Sequence, residues 1–137
     1  FKKLKANTEN KNIKADLFNM AIYDKEDKLY FSGKAGRNSA LSKNGDREVL
    51  AQSLDNIAKG ERVSFVNIDV EGYEKQALIG MKNTIETYKT KMLVAVYHRS
   101  EDMFDIPILV KKLNPEYKLY IRHYRYIPAW DTNLYCV

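Results

Sequence analysis

Two groups of polar residues directly follow apolar runs, at points where a buried strand would leave the core. Asp69 and Glu71 come after the run at residues 63–68, and His98 comes after the run at residues 92–97. Carboxylates and imidazoles are the side chains that most often transfer protons in catalysis. In an open α/β sheet, ligands bind beyond the carboxyl ends of the parallel strands. We therefore expect Asp69, Glu71 and His98 to face one cleft.

Each of these three residues also has an ordinary structural interpretation. Asp69 could cap the following helix and complement its dipole. Glu71 could be a carboxylate of that helix's first turn, and His98 could be a hydrogen-bonded structural histidine. The pattern D-x-E-G at residues 69–72 is by itself a weak motif. The convergence of three polar groups on one sheet edge favours a site more strongly than any one of them does.

Several well-known functional motifs are missing from the sequence. It has no G-x-x-x-x-G-K-[ST] loop, no G-x-G-x-x-G turn and no G-x-S-x-G elbow. The one cysteine, Cys136, lies in a strand-like apolar stretch, and no Cys/His cluster has zinc spacing. We therefore assign no metal ligand from spacing, and we disfavour P-loop, intact dinucleotide-binding, serine hydrolase and thiol chemistry.

The elements that would position these residues alternate between strand and helix. The sequence predicts strands at residues 15–22, 28–32, 48–52, 63–68, 92–97, 117–124 and 134–137, and helices at residues 1–8, 54–59, 71–88 and 103–113. Ser53 is the predicted N-cap of the second helix, and Pro107 is tolerable only near the first turn of the last one. The central βαβαβ run predicts a largely parallel sheet. The final two strands have no helix between them and should be antiparallel, so we expect a mixed sheet.

Length and composition indicate one domain over residues 1–137, and the alternating strands and helices make it α/β. The chain is 45% hydrophobic and 30% charged, which argues against disorder and a fibrous class. Its net charge of +5 is weak support for nucleic-acid binding. The longest apolar run, at residues 92–97, is too short to span a bilayer, and we expect no signal peptide from the charged first residues. A single cysteine cannot form a disulfide within the chain, so we predict a cytoplasmic location and no membrane partner.

Three other segments leave alternatives open. The Gly-rich segment at residues 33–45 is a predicted loop, and residues 35–39 could cover a ligand or form a solvated turn. Residues 122–126 could stack on the bases and bind the phosphates of a nucleic acid, or they could form an ordinary strand with one solvent-exposed face. Trp130 could be a core residue or the wall of a pocket.

Several blocks of the sequence resemble FkbM-type methyltransferases, in the same order along the chain. The blocks are FVNIDVEGYE at residues 65–74, ALIG at 77–80, VYHRSED at 96–102 followed by IP at 106–107, YIRHY at 120–124, WDTNLY at 130–135, NMAIYD at 19–24 and SLD at 53–55. They extend over nearly the whole chain. The resemblance implies a Rossmann-like class I methyltransferase fold that transfers a methyl group from S-adenosylmethionine, usually to oxygen, in sugars and small metabolites.

The resemblance also implies roles for particular residues. Asn19, Met20 and Ala21 would end a strand beside the adenine of the cofactor. The strand that leads to Asp69 would end beside the methyl group, so Asp69 would contact the cofactor as well.

On the acceptor side, the resemblance implies that Asp69 and Glu71 orient or deprotonate the hydroxyl group, or hold a divalent cation. His98 would be a second candidate base. All three are therefore predicted catalytic residues.

The chain departs from the family at its start. The family's first strand, its glycine-rich cofactor loop and the strand with its ribose-binding carboxylate would all precede Phe1, so we expect an N-terminally truncated domain. The strand at residues 63–68 would then have an open edge, which is an association hazard. We expect that edge to be covered by the strand at residues 15–22 or by another chain, as in a homo-oligomer.

Two other functions remain as alternatives. One is a non-catalytic Rossmann-like binding or assembly module. The other, nucleic-acid binding through Lys118, Arg122 and Arg125, is disfavoured, so our expectation includes no nucleic-acid partner.

Overall fold

The computed structural model describes residues 1–31, 47–125 and 131–137, and within these ranges the chain forms five helices and two β-sheets. The helices are α1 (Lys2–Asn10), α2 (Leu54–Ala58), α3 (Glu74–Ile79), α4 (Lys82–Tyr88) and α5 (Asp102–Leu113). The strands are β1 (Ala21–Ile22), β2 (Asp27–Phe31), β3 (Arg47–Gln52), β4 (Phe65–Ile68), β5 (Lys91–Ala95), β6 (Leu119–His123) and β7 (Thr132–Cys136). The predicted α/β class is confirmed.

The smaller sheet has the strand order β1-β3-β2, with β1 parallel and β2 antiparallel to β3. The strand predicted at residues 15–22 is only two residues long. Its ladder partners among the described residues are Ala51 and Gln52 of β3. Phe18, inside that predicted strand, is 53% exposed in the segment before β1.

The larger sheet has the strand order β4-β5-β7-β6. Strand β4 runs parallel to β5, whereas β7 is antiparallel to both β5 and β6. The prediction of a largely parallel sheet is therefore wrong, because β7 inserts between β5 and β6 instead of adding at the end. The predicted mixed sheet with an antiparallel C-terminal edge is confirmed. The parallel β4–β5 pair brings the carboxyl ends of these two strands side by side.

Strand β4 lies at an edge of this sheet, and its strand partner among the described residues is β5. Phe65 on this edge strand is 57% exposed. The prediction that residues 15–22 would cover the edge is wrong, because β1 pairs with β3 in the other sheet. Coverage by another chain stays a prediction.

The single helix predicted at residues 71–88 is broken at Gly80 into α3 and α4. A side chain at Gly80 would overlap the carbonyl oxygen of Tyr23. The carboxylate of Asp55, in α2, accepts hydrogen bonds from the backbone N–H groups of Asn83 and Thr84, each at 2.9 Å. Asp55 thereby caps the first turn of α4 from outside the helix. The Asp55 backbone N–H also donates to the Gly80 carbonyl at 3.0 Å, so α2 holds the break in place.

Two predicted helix-end signals had different outcomes. Ser53 is the N-cap of α2, as predicted, and its hydroxyl accepts from the Asn56 N–H at 3.3 Å. Pro107, by contrast, lies in the second turn of α5 and not near its first turn, because that helix begins at Asp102. The helix continues past Pro107 because Ile106 and Val110 are fully buried and anchor its inner face.

The hydrophobic core lies between the larger sheet and helices α3, α4 and α5. The buried members are Ile68, Ala77, Leu78, Met81, Ile85, Met92, Val94, Val96, Ile106, Val110, Tyr117, Leu134 and Cys136. The Tyr117 hydroxyl donates to the Thr90 carbonyl at 2.6 Å, which satisfies this buried polar group. Burial raises the pKa of the Cys136 thiol to about 12, so the chain's only cysteine is an inert core residue.

Three sequence hypotheses fall outside the described residues. They concern the loop at residues 33–45, Tyr126 and Trp130. Among the helices that the structure describes, none combines the length and the apolar content needed to cross a bilayer.

Candidate active site

The three predicted catalytic residues meet where β4 and β5 end. Asp69 directly follows β4, and His98 lies three residues beyond β5. The Nε2 atom of His98 lies 3.3 Å from Asp69 Oδ1 and 3.5 Å from Glu71 Oε2. The convergence expected from the parallel strand ends is therefore present, with the imidazole between two exposed carboxylates.

Asp69 does not cap the following helix. The N-cap of α3 is Tyr73, which makes no side-chain capping bond. The Asp69 carboxylate instead accepts from the Tyr97 hydroxyl, with 3.3 and 3.4 Å to its two oxygens. Burial, and then the Asp69 charge, raise the pKa of Tyr97 to about 12, so the phenol stays protonated at neutral pH and donates to Asp69. The capping interpretation of Asp69 is wrong.

Glu71 lies in a tight turn and not in the first turn of a helix, since α3 begins only at Glu74. Its φ of +53° is in the left-handed region, which costs a non-glycine residue about 1 kcal/mol. Gly72, at φ +91°, completes the turn. Strained residues of this kind are concentrated at functional sites. The turn holds the Glu71 carboxylate toward His98, so the first-turn interpretation is also wrong.

A fourth residue, Glu74, anchors the imidazole from behind. It is only 1% exposed, and its Oε1 lies 2.7 Å from His98 Nδ1. The same oxygen accepts from the backbone N–H groups of Val70 at 3.1 Å and Gly72 at 3.3 Å. Because Glu74 accepts at Nδ1, the other ring nitrogen, Nε2, faces the exposed carboxylates.

Glu74 was not among the predicted site residues. The signal for it is helical spacing: Glu74 precedes the buried Ala77 and Leu78 by three and four residues, and so lies on the buried face of α3. An acidic residue on an apolar helix face needs a partner, which is a reason to look for a site.

A second buried carboxylate, Asp102, lies near Glu74. Asp102 is 2% exposed, and its Oδ2 and Glu74 Oε2 are buried oxygens that have no hydrogen-bond partner among the described residues. Burial, and next the charge of Glu74, raise the pKa of Asp102. Lys75, whose Nζ lies 3.8 Å from Asp102 Oδ1, and Arg99 act in the opposite direction. The ionised carboxyl of Asp102 therefore destabilises the folded chain.

We expect Asp102→Asn to raise the free energy of unfolding at pH 7, because burial and the charge of Glu74 raise the pKa of Asp102 and so make its ionised form unfavourable in the folded chain. Below the unfolded-state pKa near 3.8, Asp102 is protonated in both states and the two proteins should be equally stable. The difference should grow as the pH rises from 3.8 to the higher folded-state pKa. Urea unfolding between about pH 3 and pH 8 measures it. The matched control is Asp105→Asn, an exposed partner of Lys75. An Asp102→Asn protein less stable than wild type at every pH would contradict the expectation.

An aromatic contact joins the smaller sheet to this site. Tyr23, which follows β1, has its ring centroid 6.2 Å from that of Tyr73, and the Arg99 guanidinium lies 5.6 Å from the Tyr73 ring. A side chain at Gly72 would press on Arg99, with 3.1 Å between its Cβ and Arg99 Nε. The end of β1 therefore reaches the edge of the cluster.

The predicted cofactor residues lie on the approach to that contact. Asn19 is exposed, Met20 is half-buried, and Ala21 is the first residue of β1. Their role in cofactor binding stays a prediction.

The assembled cluster has two chemical capacities. Asp69, Glu71 and His98 could orient a hydroxyl group and accept its proton. The same region could hold a cation, since Asp69, Glu74 and His98 each offer a ligand atom and these atoms lie within 4.8 Å of one another.

Comparisons with known proteins agree with this arrangement of elements. The family model for the methyltransferase FkbM domain matches residues 3–128. The crystal structure of methyltransferase FkbM from Methylobacillus flagellatus KT is similar, with a TM-score of 0.78 and 21% identity. The match covers 99% of this chain and 32% of that chain, so this chain spans about a third of that relative's length. At this identity the likeness shows a shared fold. No curated protein matches the chain.

Proposed function

The chain belongs to the FkbM methyltransferase domain family, and from this premise we propose that its protein transfers a methyl group from S-adenosylmethionine to a hydroxyl group of a sugar or small metabolite. The observation that carries the proposal is the convergence of Asp69, Glu71 and His98 at the adjoining carboxyl ends of β4 and β5. That edge is where Rossmann-like α/β sheets bind their ligands.

The charge of the site fits the proposed cofactor. S-adenosylmethionine carries a sulfonium cation, and the side chains of Asp69 and Glu71 are 54% and 63% exposed at this edge. We assign cofactor contacts to Asp69 and to Asn19, Met20 and Ala21. Bound there, S-adenosylmethionine supplies an electrophilic methyl group.

The glycine-rich cofactor loop of the family is not among these 137 residues. In the proposal, a preceding part of the same protein supplies that loop. The present chain is then the acceptor-side part of a Rossmann-like catalytic domain.

The residues of this chain would act on the acceptor. Asp69 and Glu71 orient its hydroxyl group and are the first candidates to receive its proton. His98 Nε2 is the next candidate, and the 2.7 Å contact between Nδ1 and Glu74 keeps it facing the acceptor side. Loss of the proton makes the hydroxyl oxygen a better nucleophile.

Calorimetry and a methyl-transfer assay on the full-length protein test the proposal. We expect S-adenosylmethionine to bind the full-length protein more tightly than the 137-residue chain. His98→Gln should lower kcat about a hundredfold while leaving cofactor affinity unchanged. His123→Gln is the matched control, because His123 lies on β6 and contacts Thr132. If a protein that includes the glycine-rich loop binds no cofactor, the proposal fails.

A non-catalytic binding or assembly module is the second candidate. It is favoured by the aromatic surface of the C-terminal edge, where Tyr120 and Tyr124 are 49% and 52% exposed beside Arg122. A full-length protein that folds but binds no S-adenosylmethionine would support this candidate over the enzyme. Nucleic-acid binding through Lys118, Arg122 and Arg125 would require steeply salt-dependent affinity.

The proposal assigns the protein a cytoplasmic location and no nucleic-acid or membrane partner. It also includes self-association through the exposed edge of β4, where Phe65 would pair with a second copy.

A further inference from the structure

We propose that the open edge of β6 binds an extended segment of a partner protein as an added strand, and that this segment alternates acidic and apolar residues. The surface consists of β6 and the groove between β6 and α5, and we call it the β6 edge. The inference rests on this surface alone and would hold even if the methyl-transfer proposal failed.

The backbone of β6 has hydrogen-bonding groups that the described part of its sheet does not use. Strand β6 is the last in the order β4-β5-β7-β6, and β7 is its strand partner among the described residues. In an antiparallel pair, alternate residues bond to the partner strand. Lys118 and Tyr124 bond to residues just beyond the two ends of β7. The N–H and C=O groups that point toward the open edge are therefore those of Leu119, Ile121 and His123.

The face of β6 toward α5 is apolar. Leu119 packs against the hydrophobic core, whereas Ile121 on the same face is 48% exposed. A groove of about 370 Å³ lies between Leu119 and α5, and its helix side is formed by Pro107, Ile108, Lys111 and Lys112. Apolar side chains on one face of an added strand would fill this groove.

The opposite face of β6 is basic and aromatic. Lys118, Tyr120 and Arg122 alternate along it, and all three are exposed. Glu116, the acidic residue closest to them in sequence, is paired with Lys89 at 3.1 Å. Opposite charges on paired strands stabilise the pairing. Two acidic residues four positions apart on an added strand would match Lys118 and Arg122.

The charge of this part of the chain selects an acidic partner over a second copy. Residues 107–125 contain five lysines and arginines and one acidic residue, so they contribute +4 of the net charge of +5. Pairing two copies of β6 would place basic side chains beside basic side chains, which is destabilising. Charged side chains on edge strands prevent self-pairing for this reason.

The backbone groups and the groove favour a peptide over a nucleic acid. In β-strand addition, main-chain hydrogen bonds supply the affinity and pockets for alternate side chains supply the specificity. The β6 edge offers both. A nucleic acid would contact the basic, aromatic face and leave the free backbone groups and the apolar groove unused.

Fluorescence anisotropy with a labelled peptide and the full-length protein tests the inference. The probe has about nine residues, the length of a long strand, and alternates valine with glutamate. One control peptide has lysine in place of glutamate, and the other has the probe's own residues grouped into two blocks. We expect the alternating acidic peptide to bind at least about tenfold more tightly than either control.

Hydrogen exchange locates the bound peptide. Exchange in the segment at residues 118–124 should slow in the complex, because the outward N–H groups of Leu119, Ile121 and His123 gain acceptors. Exchange in β5, which lies two strands away from β6, should not change.

Variants at Ile121 test the backbone pairing. Ile121→Pro removes an outward N–H group that the ladder with β7 does not use, and proline is tolerated at such positions of edge strands. It should weaken peptide binding by about tenfold or more. Ile121→Val keeps the N–H group and should bind within about threefold of wild type.

Variants on the basic face test the charge pairing. Arg122→Glu should weaken binding of the acidic peptide by about tenfold. Adding Lys118→Glu should make the lysine peptide the better ligand. Lys91→Glu is the matched control, because Lys91 is an exposed lysine of β5 and should not affect binding.

The inference is overturned if the alternating peptide does not bind at millimolar concentration, if the grouped peptide binds as tightly, or if exchange at residues 118–124 stays unchanged. A single-stranded oligonucleotide of about nine nucleotides that binds more tightly than the peptide would also overturn it. Arg122→Glu decides the question should Ile121→Pro fail to fold, because Arg122 is exposed, and unchanged binding by that variant would overturn the inference. Because no methyl transfer is measured, the result is independent of the proposed function.

Discussion

Gly80→Ala should lower the free energy of unfolding by about 3 kcal/mol, the upper end of the cost of forcing extra atoms into a packed interior. Gly80 has an ordinary φ of −71°, so the cost is not one of backbone conformation. It comes from the Cβ atom, which would overlap the main chain at Tyr23. Backbone cannot rotate aside as a side chain can. The substitution must therefore separate α3 and α4 from the segment that follows β1.

Gly60→Ala is the matched control for Gly80→Ala. Gly60 has a φ of +82°, and a Cβ atom added there would meet no atom of the described residues within 4 Å, so only conformational strain of about 1 kcal/mol is expected. Urea unfolding of the two variants measures the difference. Equal losses of stability in both variants would show that the Gly80 contact is not a packing constraint.

Glu74→Ala should lower the free energy of unfolding by about 3 kcal/mol or more, because it leaves several buried groups without a partner. The substitution removes the acceptor for the N–H groups of Val70 and Gly72 and the partner of His98. Each unsatisfied buried donor costs about 1–3 kcal/mol. The turn that presents Glu71 would lose its anchor as well, so the whole cluster should loosen.

Glu74→Gln separates hydrogen bonding from charge. The amide oxygen can still accept from Val70 and Gly72, and the amide nitrogen replaces an oxygen that has no hydrogen-bond partner in the part of the chain that the structure describes. We therefore expect a stability within about 1 kcal/mol of wild type. Glu86→Ala, an exposed residue paired with Lys82, is the surface control and should change stability by less than about 1 kcal/mol. Denaturant titrations of Glu74→Ala, Glu74→Gln and Glu86→Ala measure these differences in the free energy of unfolding. A Glu74→Ala protein as stable as wild type would refute the anchoring role.

Local sequence patterns were sufficient to predict the two strands that carry the candidate site. The apolar runs before Asp69 and His98 predict buried strands, and both strands are present and parallel. Contacts between segments far apart in the chain could not be predicted from local sequence patterns. The apolar stripe of residues 71–88 continues through Gly80, but Asp55 caps a new helix there from 28 residues away.

In the candidate site, too, some residues were predicted from local sequence and another was found only in the folded structure. Asp69, Glu71 and His98 were predicted to converge because each follows a strand end, and topology places neighbouring strand ends together. Glu74 was missed because a buried carboxylate is stable only with its partners. Two of these are local backbone groups, but the third, His98, is 24 residues away.

The sequence by itself determined the α/β class, the antiparallel C-terminal edge, the family and the three polar residues at the strand ends. Hydrophobic periodicity and residue order are local properties that a chain carries into any fold. Only the tertiary structure decided that β1 pairs with β3, that the long helix breaks at Gly80, and that Glu74 stands behind His98. Those outcomes depend on steric contacts and hydrogen bonds between segments far apart in the chain, whose geometry exists only after folding.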